Sequence, residues 1–204
     1  MIRFRRPSPV EIDAHLSISD RSFSYPEVGS TAIPTSLESI GVHYDLDRHR
    51  FPLGVGRDLF ERAQTSLLAW RHFEIPWLEL HGVKAKLSSG QVVATLAHFS
   101  GLWFLNPCRV VYTERASDSS NETAFAYGTL SGHVERGEER FSVNFNPTTG
   151  DVTYEILAFS RPAVLLSKIG YFWARRLQNR FALSSFEALA RACRLGASLE
   201  SENT

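Results

Sequence analysis

Between Phe141 and Ala158 apolar and polar residues alternate in twos around a single turn, and after Ser160-Arg161-Pro162 the repeat lengthens to that of a helix. Phe141, Val143 and Phe145 alternate with Ser142 and Asn144, and Val152, Tyr154, Ile156 and Ala158 with Thr153 and Glu155. Period-two alternation marks strands with one apolar face. In the intervening turn Pro147 fixes one φ and Gly150 supplies a positive one, so the two strands are expected to form an antiparallel hairpin. Beyond Pro162, which suits a first helical turn with Ser160 as its cap, Leu165, Ile169, Phe172, Trp173, Leu177 and Phe181 fall on one helical stripe. A second helical stretch carries Phe186, Leu189, Ala190 and Cys193 and ends at Gly196. A sheet with one apolar face, followed by a long amphipathic helix, buries both by laying the helix across that face.

The upstream chain extends the same sheet. Ala124 to Leu130 reads as a strand, and Gly132 and Gly137 frame a short link holding His133, Glu135 and Arg136, with Glu138, Glu139 and Arg140 following. So many titratable groups in so short a link are expected to be exposed at one end of the sheet. Phe60, Ala63, Leu67 and Trp70 form the stripe of a helix over Asp58–Trp70, with Asp58 at the positive end of its dipole. Further strands are expected over Ser39–His49, over Phe73–Leu80 with a bend near Trp77, over Gln91–Phe99 and over Arg109–Glu114. Gly54 and Gly56 precede the first helix, but neither a third glycine at dinucleotide spacing nor a Gly-Lys-Ser/Thr follows, so they read as a bend. The chain is thus α+β: a curved antiparallel sheet of about seven strands gripping a long C-terminal helix. Residues 1–33 read as a leading segment packed on the body, 34–196 as a single domain and 197–204 as a frayed tail.

Twenty-two basic residues balance twenty-two acidic ones, so nothing global favours nucleic acid. No run of about 18 apolar residues exists, so a transmembrane helix is not expected. The basic start lacks the apolar core of a secretory signal, and the expectation is a cytoplasmic protein. Cys108 and Cys193, far apart, make neither a disulfide framework nor a metal motif and read as reduced, buried thiols; no cofactor or metal is expected.

Five motifs carry a family resemblance. Leu53-Gly54-Val55-Gly56, Arg109-Val110-Val111-Tyr112, Ala126-Tyr127-Gly128-Thr129-Leu130-Ser131-Gly132-His133, Gly137-Glu138-Glu139-Arg140-Phe141 and Phe159-Ser160-Arg161-Pro162-Ala163 together resemble the signature of the uncharacterised DUF1990 family, over roughly Tyr25 to Ala190. That family supplies no established activity. The element order also resembles the helix-grip arrangement of START-like and pollen-allergen-like domains, the SRPBCC superfamily.

The resulting expectation is a noncatalytic module that binds a small apolar or amphipathic molecule between the sheet and the last helix. Aromatics such as Trp103 and Trp173 would line the pocket, and Tyr127, Arg109, His133, Glu138 and Arg161 would contact the polar end. Arg109, between apolar neighbours, would need an acidic partner if it pointed inward. The first alternative is an enzyme using the same cavity, with His133 or Glu138 as acid and base. The second is an interaction protein with a filled core, acting through a basic last helix that carries Lys168, Arg175, Arg176, Arg180, Arg191 and Arg194.

Overall fold

The structure is a computed structural model; it describes residues 1–17, 22–33, 37, 40–117, 120–163 and 168–202, with no side chains described for 168–174 and 197–202. Eight strands form one antiparallel sheet: β1 (Ile2–Arg3), β2 (Asp45–Val55), β3 (Leu78–His81), β4 (Val92–Phe99), β5 (Leu102–Glu114), β6 (Glu122–Thr129), β7 (Glu135–Phe145) and β8 (Asp151–Pro162). Seven lie in the order β2-β8-β7-β6-β5-β4-β3, and β1 pairs with the start of β5. Three helices among the described residues matter here: α1 (Pro9–Leu16), α2 (Arg57–Leu68) and α3 (Lys168–Glu202).

The hairpin forms where the alternation places it: Phe141 pairs with Ile156 and Val143 with Tyr154. These side chains join Phe125 on β6, Phe60 and Leu67 on α2, and Leu189 on α3 in one core, all nearly or fully buried. The concave sheet face therefore packs against α2 and α3, as the stripe of Phe60, Ala63 and Leu67 requires. A register shift between Val110 and Tyr112 interrupts the β5–β6 ladder. Val110 lies in the core, whereas the Tyr112 hydroxyl meets Thr31 on the convex side, which is what one extra residue in a strand does to its faces.

The N-terminal segment covers the convex face. Ser8 caps α1 in a reciprocal box with Glu11, and Ile12 packs on Ala94, Leu96 and Leu105. Tyr25, Ile40 and Tyr44 pack on Phe159 of β8. Gly128 makes room for this strap: a Cβ there would lie 1.9 Å from the Tyr25 hydroxyl.

Five expectations are corrected. The strand expected over Ser39–His49 runs instead from Asp45 to Val55, and backbone bonds from His43 and Tyr44 to Ile40 make a turn just before it; Ser39 itself lies outside the described residues. Phe73 and Ile75 do not belong to a strand: Trp70 turns left-handed at φ 60°, and Arg71–Phe73 makes a 3-10 turn. The polar run after Gly132 is exposed only in part: Gly132 and Arg136 are exposed, but β7 begins at Glu135, and Glu138 and Arg140 are 2% and 8% exposed. Ser160 and Pro162 pair with Gly137 and Glu135 as the end of β8, so they do not start a helix. The two C-terminal helical stretches are one helix, α3. Leu165 lies outside the described residues, as do the side chains of Lys168, Ile169, Phe172 and Trp173.

Candidate functional site

Strand β7 sorts its polar side chains between two faces. Glu138 faces the convex side, where its carboxylate accepts from the Tyr25 hydroxyl at 2.8 Å, the Gly29 N–H at 2.7 Å, the Thr31 N–H at 3.0 Å and the Thr31 hydroxyl. Four donors on one buried carboxylate saturate it. Two residues on, Arg140 faces the same way and pairs with Glu122 at 2.7 Å. Glu138 is thus the buried anchor of the strap.

Glu135 and Glu139 face the other way, toward α3. The Tyr127 hydroxyl donates to Glu139 at 2.6 Å. The Gln178 amide on α3 donates to Glu135 at 3.0 Å and to the Ser160 hydroxyl at 3.2 Å. Arg175, one turn earlier, binds Asp47 of β2 through both terminal nitrogens, the Nη2 contact being 2.6 Å, and also donates to Gln178 at 3.1 Å. Among the described residues neither Glu135 nor Glu139 takes part in an ion pair. Burial pushes both carboxyls up to about 7, and the charge of Asp47 adds to the rise in each. Gly137 lies between them at φ 154°, where a Cβ would sit 1.9 Å from the Phe159 carbonyl oxygen. The Thr129 hydroxyl accepts from the Gly137 N–H at 3.0 Å and donates to its carbonyl at 3.2 Å, holding this part of β7 in place.

Apolar rings border this polar end. Phe141 contacts Tyr127, Phe125 and Phe73 with centroids 5.3–5.6 Å apart, and Phe181 of α3 closes over Phe73 at 5.4 Å. His72, fully buried, lies among Trp70, Phe73, Phe125, Phe141 and Tyr154. Neither of its ring nitrogens has a hydrogen-bond partner among the described residues, and burial pushes its pKa down to about 3. Two surface clefts of about 450 and 440 Å³ lie elsewhere, one beside Arg3–Pro7 and one between α2 and the Ala85–Leu87 and Arg115–Ala116 loops.

Of the residues singled out from sequence, Tyr127 faces the concave side. Arg109, Arg161, Trp103 and Glu138 lie on the convex side, so the geometry separates them from the sheet–helix interior. The Arg109 guanidinium sits 5.5 Å from the Phe23 ring and that of Arg161 4.6 Å from Tyr44, while Trp103 stacks on His98 at 4.4 Å. His133 lies in the β6–β7 link, where its Nδ1 accepts from the Glu135 N–H at 2.9 Å; burial, then the N-terminal ammonium, pushes it down to about 3. The Trp173 side chain lies outside the described residues. Glu139, Glu135 and Gln178 escape a sequence reading because the facing of β7 depends on where the strap packs. The period-two relation of Glu135 and Glu139 to Phe141 is the signal that pairs them with the core.

The last helix is not a uniformly solvated basic face. Arg175 is bound to Asp47, Arg180 sits 4.8 Å from the Trp77 ring and Arg191 donates to the Glu74 carbonyl. Both cysteines are buried and not disulfide-bonded. Among the described residues no cluster of three potential metal ligands occurs, and no helix is long and apolar enough to cross a membrane.

Comparison with known proteins places this geometry in context. A family model described as a domain of unknown function, DUF1990, matches residues 24–188. A UPF0548 protein of Dictyostelium discoideum is 32% identical over 94% of this chain and 95% of its own length, and one of Deinococcus radiodurans is 31% identical over 94% and 98%. Among solved structures, the protein TTHA0849 from Thermus thermophilus superposes with a TM-score of 0.53 at 13% identity, covering 76% of this chain and 99% of that one. The Zhui aromatase/cyclase from Streptomyces sp. R1128 superposes at 0.51 and 11% identity, covering 74% and 94%. At such identities the likeness concerns the fold: a curved antiparallel sheet gripping a C-terminal helix.

Proposed function

The chain belongs to the DUF1990 family, and from that premise we propose that it is a binding module for a small amphipathic molecule, held between the concave face of the sheet and α3. One observation carries this reading: Glu135 and Glu139 sit on the helix-facing side of β7, bonded to Gln178 and Tyr127, with no ion pair among the described residues. Carboxyls withdrawn from water without a paired cation cost free energy, and the nearby charge of Arg175 offsets only part of that cost at Glu135. A polar ligand head that donates hydrogen bonds to them returns that cost on binding. The rings of Phe73, Phe141 and Phe181 then receive the apolar part. These rings already touch, so a ligand enters by lifting α3 from the sheet, separating Phe181 from Phe73 and Gln178 from Glu135. The Zhui protein is named an aromatase/cyclase, and its shared fold is compatible with an interior that takes ring-bearing molecules.

A second reading is favoured by one feature. Glu139, near 7 and bonded to a tyrosine hydroxyl, has the acidity of a general acid–base group at neutral pH, so the same sheet–helix interior, once opened, suits proton-transfer chemistry. Glu139 takes this role in place of Glu138, whose carboxylate is saturated, and of His133, whose imidazole stays neutral.

A thermal-shift screen against fatty acids, sterols and aromatic metabolites tests the proposal. A ligand at a hundred times its Kd raises stability by about 2.7 kcal/mol, a shift of roughly 5–10 °C in a chain this size. Tyr127→Phe with Glu139→Gln should abolish that shift. A screen in which nothing moves the wild-type transition removes the proposal.

A further inference from the structure

The polar row of the concave face continues past Tyr127. The Trp70 ring lies nearly parallel to Tyr127, 13° between planes and 6.5 Å between centroids, and nearly parallel to His72, 9° and 6.0 Å. Trp70 and His72 are 4% and 0% exposed, and both flank the fully buried Phe125. Between them they hold three polar atoms with no hydrogen-bond partner among the described residues: Trp70 Nε1 and both ring nitrogens of His72. The left-handed turn at Trp70, φ 60° in a residue other than glycine, brings these two rings into the core together.

Native interiors rarely leave buried polar atoms unmatched, and three on two adjacent rings, beside a proposed ligand site, ask for a polar partner. A neutral imidazole offers one donor and one acceptor, and an indole N–H one further donor. A hydroxyl is the small group that matches the indole N–H and the bare imidazole nitrogen, since it accepts from the first and donates to the second. A carboxylate has no proton to give the bare imidazole nitrogen, and an ammonium cannot accept from the indole.

Building on the binding function above, we propose that Trp70 and His72 form an internal subsite for a hydroxyl carried on the ring-bearing end of the ligand. The ligand is then polar at both ends. One end meets Glu135 and Glu139 beside Gln178, and the other places a phenol-like hydroxyl at the edges of the two rings, against the indole N–H and one imidazole nitrogen, with Phe73, Phe125 and Phe141 around its ring. Phe181 and the Tyr154–Ser185 hydrogen bond, 2.7 Å long, lie at the α3 side of this region, so the same lifting of α3 that opens the carboxyl end opens the subsite.

The test uses a matched pair of probes, 2-naphthol and naphthalene, titrated into the full-length protein by calorimetry or fluorescence. The wild type should bind 2-naphthol about tenfold more tightly than naphthalene. His72→Phe should bind the two equally and, having lost two unmatched polar atoms, should melt about 3 °C higher. His72→Gln, which keeps a donor and an acceptor, should retain the preference for 2-naphthol. Equal wild-type affinities for the two probes would overturn the subsite and leave the binding function standing. Failure of both probes to bind would count against the binding function and the subsite together. A His72→Phe protein that melts lower, or does not fold, would make the imidazole a structural member of the core and overturn the subsite.

Discussion

Glu138 and Glu139 are neighbours on β7 and face opposite sides of the sheet, one bonded to Tyr25 of the N-terminal strap, the other to Tyr127 of the concave face. One carboxylate is saturated by four donors; the other has a single hydroxyl and a pKa near 7. The anchoring role and the proposed binding role thus alternate along the strand with its side chains.

Removing the saturated member should unfasten the strap. Glu138→Ala strands the Tyr25 hydroxyl and two backbone N–H groups, leaving the Thr31 hydroxyl only Tyr112, and should cost about 3 kcal/mol in urea unfolding. Limited proteolysis should then cut ahead of Thr31 well before the sheet is attacked. A loss below about 1 kcal/mol would show that the strap is held by its apolar contacts alone.

Tyr25 and Gly128 should prove coupled. Gly128→Ala drives a methyl group into the Tyr25 hydroxyl and should destabilise by about 2 kcal/mol. Tyr25→Phe loses the bond to Glu138 and should cost about 1–2 kcal/mol. The double variant should cost about 1 kcal/mol less than the sum, because removing the hydroxyl takes away the closest contact and leaves only the ring carbons at 2.8 and 2.9 Å. Strict additivity would place the strap differently over β6.

Stability should depend on pH through two opposed sets of groups. Glu135 and Glu139, raised to about 7, favour the folded state at low pH; their contribution is complete below about 4.5 and is lost as pH rises through 7. His72 and His133, lowered to about 3, contribute above about 6.5 and lose that contribution as pH falls through 3. The two sets offset one another between about 4.5 and 6.5, where stability should be nearly flat, and it should decline from 6.5 to about 8. Glu139→Gln should raise the urea midpoint at pH 8 and make stability climb with pH from 4.5 to 6.5. An unchanged profile in that variant would mean that Glu139 titrates as an ordinary exposed carboxyl.

The link between α3 and β2 should resist salt. Arg175 and Asp47 form a two-point pair that is mostly withdrawn from solvent, and Arg175 also orients Gln178 toward Glu135. Arg175→Ala should cost about 2–3 kcal/mol and speed amide exchange over 175–189, with little change when salt rises to 1 M. An effect erased by salt would mark the pair as a surface contact.

Much of this architecture is legible in the chain because its signals are local. Phe141 to Ala158 announces β7 and β8 by period two, and Phe60, Ala63, Leu67 announces α2 by period 3.6. The Ser8–Glu11 capping box with Pro9 behind it is an equally local signal for α1. What is not legible depends on partners distant in sequence. β2 begins Asp-Leu-Asp-Arg-His-Arg and pairs with β8, where Arg48 and Arg50 are anchored by Glu155, so its strand character comes from its neighbour. Ser184 and Ser185 suggest a helix break, yet Ser185 is fully buried against the Tyr154 hydroxyl and α3 runs through. For the site, the chain marks the Gly137–Arg140 motif but not which carboxylate faces inward. Arg109 and Arg161 are drawn to the convex face by Phe23 and Tyr44 of the strap, contacts with no signature near either arginine.

The most direct measurement of the central claim is native mass spectrometry of the protein as purified, set against its denatured mass. The account predicts a reproducible extra mass that disappears in the Tyr127→Phe, Glu139→Gln double variant while the protein stays folded. Identical native and denatured masses, together with no thermal shift across the lipid and aromatic panel, would contradict it.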